Sequence, residues 1–127
     1  MSSRSPYNKD NVILNLTFEF SLGIMDYTTL LDEGKKFVFA KQVLRSGTSI
    51  GANVKEAQNA ESKADFIHKL KIAAKEADET EYWLQLCKQH SGYPNPVGLL
   101  DKLESINKVL NKIISTSKKK TANHRIN

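Results

Sequence analysis

The chain has 127 residues, of which 39% are hydrophobic and 26% charged, with one cysteine and a formal charge of +5. That is room for one domain with a single core, and the mixture excludes both a disordered chain and a membrane protein. No apolar run reaches the roughly 18 residues a membrane span needs, the polar start Met1–Asp10 lacks the apolar core of a secretory signal, and a lone Cys87 excludes an internal disulfide framework or a multi-cysteine metal cluster. A cytoplasmic protein without a metal or cofactor is the expectation.

Proline occurs only at Pro6, Pro94 and Pro96, so nothing breaks a helix between residues 7 and 93. After a disordered end at residues 1–8, the first predicted helix covers 9–31, with Val12, Leu16, Phe20, Ile24 and Tyr27 at steps of 4, 4, 4 and 3, and ends at Asp32-Glu33-Gly34. The second covers 35–59. Its small residues cluster at 46–49 and 51–52, and Gly47 and Gly51 fall within the apolar arc of Phe39, Val43, Ile50 and Val54. A helical glycine costs about 1 kcal/mol relative to alanine, so close helix packing is the reading for both. No phosphate-loop or dinucleotide glycine motif is present.

The third helix, 62–90, opens on Ser62 as N-cap with Asp65 three residues on, a near capping box. Phe66, Leu70, Ala73, Ala77, Thr80, Leu84 and Cys87 alternate steps of 4 and 3, a heptad seam with one polar member, which makes Cys87 a buried thiol rather than a nucleophile. A different side carries Ile72, Trp83 and Leu86, expected to meet another copy of the chain, the alternative being a bundle core that wraps further round. Ser91–Pro96 turns the chain into a fourth helix, 96–117, with Val97, Leu99, Leu100, Leu103, Ile106, Val109, Leu110, Ile113 and Ile114 at helical spacing. Short connections between long helices predict an all-α, antiparallel up-and-down four-helix bundle over 9–117, followed by a basic disordered tail at 118–127.

Charge is unevenly placed. Lys118, Lys119, Lys120 and Arg125 follow residue 117 with no acid, whereas the body from 12 to 116 holds 13 bases and 13 acids. A solvated end or a phosphate-following arm both fit the tail. On the second helix Lys41, Arg45 and Lys55 share one polar side, as a stripe for phosphates or as partners for the acids of the first helix. No Glu-x-x-His pair projects from any helix, and His68, His90 and His124 are not spaced as ligands, so an enzyme is not expected.

Residues 44–86 carry a resemblance. Leu44-Arg45-Ser46, Ser49-Ile50, Asn53 with Glu56, Ser62-Lys63 with Asp65-Phe66, Ala74, Glu76 with Glu79, and Glu81-Tyr82-Trp83-Leu84 together resemble the family of the 23S ribosomal RNA intervening sequence protein, with Phe18-Glu19-Phe20 and Ile24 similar to its first helix. Many members read Ser-Ile-Pro-Ser-Asn where this chain has Ser49-Ile50-Gly51-Ala52-Asn53. The resemblance implies an antiparallel four-helix bundle assembled as a homopentamer around an axial channel. It also implies kinship with the accessory variability protein of diversity-generating retroelements, a basic pentamer that partners a reverse transcriptase. The combined expectation is a non-catalytic homo-oligomer that binds structured RNA or other nucleic acid through Lys41, Arg45, Lys55, Lys118, Lys119 and Lys120. The alternative is a scaffold for a nucleic-acid enzyme such as a reverse transcriptase.

Overall fold

A computed structural model describes residues 5–8 and 10–126, the last six of these by backbone alone. Four helices follow one another, α1 (Val12–Glu33), α2 (Phe37–Ala57), α3 (Lys63–Gln89) and α4 (Val97–Ile126). Contacts run α1 to α2, α2 to α3, α3 to α4 and α4 back to α1, with none across the diagonals, which is the closed square of an up-and-down bundle.

The expected seams hold on α3 and shift on α1. Leu70, Ala73, Ala77, Thr80, Leu84 and Cys87 are all buried, with Phe66 half-buried at the open end. On α1 the buried face is Ile13, Thr17, Phe20, Ile24, Tyr27 and Leu31, stepping 4 and 3 alternately. Val12, expected inside, is 53% exposed, because steps of 4 drift off a face that alternating steps of 4 and 3 follow. Thr17 is tolerated in the core because its hydroxyl donates to the Ile13 carbonyl at 2.8 Å.

Ser62 caps α3 as its spacing predicts. Its hydroxyl accepts the Asp65 N–H at 3.0 Å, and the Asp65 carboxylate accepts the Glu61 N–H at 3.3 Å. Helix α1 ends in a Schellman motif, with Lys36 N–H donating to the Leu31 carbonyl and Lys35 N–H to that of Asp32. The left-handed position is Lys35 (φ 60°) rather than Gly34, which keeps φ −85°. The glycine lies one residue ahead of the site that most favours it.

Gly47 is where two helices come closest. A Cβ there would lie 2.8–2.9 Å from three side-chain atoms of Ile24, itself fully buried. At Gly51 the nearest atoms are the Thr17 carbonyl oxygen and the Ser21 hydroxyl, at 3.2 and 3.3 Å. Both expected packing glycines therefore line the α1–α2 contact, Gly47 the more tightly.

The two ends are described in part. Residues 1–4 lie outside the described residues, but the Ser5 hydroxyl donates to Asn15 Oδ1 at 2.6 Å and the Tyr7 ring meets Phe18 edge-on at 5.7 Å. In the structure α4 runs on through the basic segment from Lys118 to Ile126. Its side chains beyond Lys120, and Asn127, lie outside the described residues.

Candidate nucleic-acid interface

The two groups of bases meet opposite fates. Arg45 leaves α2 toward α3, where its guanidinium pairs with Glu76 at 3.4 Å and with Glu79 more closely still. Glu79 also accepts the Trp83 indole N–H at 3.0 Å, and Gln42 accepts from Arg45 Nε at 3.3 Å. The Trp83 ring meets Phe39 edge-on at 5.5 Å. Below this clasp Ser46 and Thr80 share a buried hydrogen bond of 2.9 Å. Arg45 thus ties α2 to α3, and neither Glu81 nor the acids of α1 receive it. Most residues that carry the family resemblance have structural duties of this kind.

Lys41 is exposed one turn before Arg45, and the Lys55 ammonium lies 5.6 Å from the Tyr7 ring centroid, at the other end of α2. About ten residues of helix separate Arg45 from Lys55, some 15 Å of rise, so the three do not form one site.

Antiparallel packing produces a different cluster. It lays the start of α3 beside the end of α4, and a groove of about 350 Å³ opens there with Phe66 and Ile113 as floor and Lys63, Lys112 and Lys120 around it. Thr116 completes the wall. One turn further along α3, Lys71 sits beside Lys118, and the neighbouring ammonium holds the Lys118 pKa below the ordinary lysine value. Among the described residues none of these five lysines makes an ion pair. Residues 118, 119 and 120 fan out at about 100° per residue, so Lys118 faces α3, Lys120 enters the groove and Lys119 stays in solvent.

Lys63, Lys71 and Lys112 were missing from the predicted set. Each looks like a solvated helix residue until the antiparallel partner is placed, although Lys63 carries one local signal. A base in the first turn of α3 opposes the helix dipole, whose positive end lies there.

The predicted oligomer face is part buried. Ile72 and Trp83 are half-buried and Leu86 is 38% exposed, all on the side of α3 that flanks α2. A second apolar surface was not foreseen: Phe37 and Val38 are 60% and 75% exposed on α2, with Leu44 further along it and Met25 on α1.

At the opposite end from the lysine groove, the Tyr27 hydroxyl donates to the Pro94 carbonyl at 2.6 Å and neighbours Cys87. Burial pushes the pKa of the phenol and of the thiol up, so both are neutral packing groups. Among the described residues no cluster of three or more histidines, cysteines or acids could hold a metal ion, and no helix is long and apolar enough to cross a membrane.

The bundle is similar to a crystal structure of a protein of unknown function from the S23 ribosomal protein family of Bacteroides thetaiotaomicron. The two share 47% identity and a TM-score of 0.76, over 81% of this chain and 98% of that one. No functionally curated protein matches. The family model of the 23S rRNA-intervening sequence protein matches residues 9–115, which takes in α1 to α3 and the first part of α4 and stops just short of Lys118, and the chain belongs to that family.

Proposed function

We propose that the protein is a non-catalytic, homo-oligomeric helical bundle that binds RNA or other nucleic acid through phosphate contacts. The observation that carries this reading is the gathering of Lys63, Lys71, Lys112, Lys118 and Lys120 at one end of the bundle, unpaired among the described residues, whereas Arg45, Lys69 and Lys108 are matched to acids. The Lys71 ammonium lowers the pKa of the exposed Lys118, and a phosphate shared by the two would have two charge-assisted partners. Exposed Phe37, Val38, Met25 and Leu44 support a further chain covering the α1–α2 surface. A ring of copies, a pentamer by the family resemblance, presents the same lysine cluster several times and raises avidity without a strong single site.

Fluorescence anisotropy with RNA at two salt concentrations tests the binding. The expected affinity falls with salt along a slope of about 0.7–0.9 per neutralised phosphate, and no binding at low salt overturns the reading. Truncation after Ser117 removes Lys118 and Lys120 and is expected to weaken binding at every sequence alike. Light scattering tests assembly, and a monomer at micromolar concentration removes the avidity argument.

A further inference from the structure

We propose that the groove between the start of α3 and the end of α4 holds an unpaired nucleotide of a single strand, its base against Phe66 and its phosphates among Lys63, Lys112 and Lys120. This rests on the nucleic-acid reading above and adds to it the form of the strand and the place where it is held.

The groove is not simply a charged surface. Its floor is apolar, made by Phe66 and Ile113, and its rim is cationic. Phe66 is half-buried, so its ring is anchored on the core while one side borders the opening. The Lys63 ammonium lies 5.8 Å from the ring centroid, which puts a phosphate partner within one side chain's reach of an aromatic surface. A volume of about 350 Å³ is on the scale of a small-ligand pocket. Single strands are bound by this combination, bases stacking on aromatic rings while lysines follow the backbone. A duplex keeps its base faces covered by neighbouring bases, so it would engage the rim and leave the floor unused. The Thr116 hydroxyl on the wall offers a hydrogen bond to a base edge or ribose. The Lys63 position points the same way. It stands at the first turn of α3, where the positive helix end and the Lys63 ammonium both attract an anion, although the Asp65 carboxylate in the same turn offsets part of that charge.

The test uses the full chain and labelled single-stranded oligo(U), single-stranded oligo(dT) and a duplex of equal length, by anisotropy at low salt. Phe66→Leu is expected to weaken binding of the single strands about tenfold, the effect of one lost base stack, while duplex affinity stays within twofold. Phe66→Tyr keeps the ring and is expected to bind as the parent does, and circular dichroism checks that each variant is folded. The two oligonucleotides separate ribose from deoxyribose as the source of the nucleotide; a Phe66→Leu loss on either supports the groove. Unchanged affinity for both single strands in folded Phe66→Leu overturns it, as does an equal loss on the duplex. Lys112→Glu with Lys120→Glu separates the two readings. Nucleic-acid binding that survives this double change leaves the function standing and removes the groove, whereas no binding by the parent removes both. Displacement of the oligonucleotides by polyglutamate at matched charge, with no dependence on Phe66, would instead identify an acidic protein as the occupant.

Discussion

The middle of the α2–α3 contact and the far end of the α3–α4 contact use the same residue types to opposite effect. Around Arg45 each charge finds an opposite one, with two carboxylates and an indole from two turns of α3 and an amide from α2 converging on one clasp. At the far end Lys63, Lys71, Lys112, Lys118 and Lys120 make no ion pair among the described residues, although Glu61 and Asp65 lie at the same end of α3. The first arrangement is what a bundle does for its own assembly. The second leaves its charge open to an anion. Counting bases along the chain does not separate the two, since Arg45 and Lys118 contribute equally to a charge of +5.

Substitutions at the two places should therefore break different properties. The largest expected effect is at the α1–α2 contact, on the other side of α2 from the Arg45 clasp. Gly47→Val drives a branched side chain into buried Ile24, and a cost of about 3 kcal/mol is expected by urea unfolding. Gly51→Ala meets the Thr17 carbonyl at 3.2 Å and the Ser21 hydroxyl at 3.3 Å, and the helix-propensity gain of about 1 kcal/mol should offset the small shift required. Next, Thr80→Val leaves the buried Ser46 hydroxyl without its partner and should cost about 1–2 kcal/mol by the same measurement. At the lysine end, Lys71→Glu should lower RNA affinity about tenfold and reduce the salt slope by about 1. Its melting temperature should stay at or above the parent's, since Lys118 then gains an opposite charge.

Arg45→Ala is expected to do the reverse on a smaller scale. The pair is part exposed, so the loss should be below about 1 kcal/mol with RNA affinity within twofold of the parent. An Arg45 variant that lost binding while remaining folded would erase the distinction between the two regions. The smallest effect at neutral pH concerns Cys87. Its pKa is raised in the fold, so above the ordinary thiol value of 9.0 the unfolded chain sheds a proton that the folded chain keeps. Stability therefore falls as pH climbs beyond that point, and Cys87→Ala should flatten this part of a melting-temperature profile.

Much of the scaffold was legible because helices report their buried face at short range. The Ser62 cap, the α3 seam and the glycine contacts all rest on residues within a few positions of one another, and the described structure places each as expected. The errors share a cause. Val12 on α1 and Lys35, expected to open the second helix, were misjudged because a shift of a residue or two in register or in a helix start changes no local pattern visible in one strand of text. The site was less legible. Of the six bases expected to contact nucleic acid, Lys118 and Lys120 join the cluster and Arg45 is committed to α3, while Lys63, Lys71 and Lys112 lay unnoticed on two separate helices.

Composition and periodicity alone determined four helices, their order and their core, because hydrophobic burial follows spacing along a single helix. Tertiary structure alone decided which charges cancel and which accumulate. Electrostatic neighbours are set by distance through space, and antiparallel packing brings residue 63 beside residue 120 while holding residue 45 against residue 79.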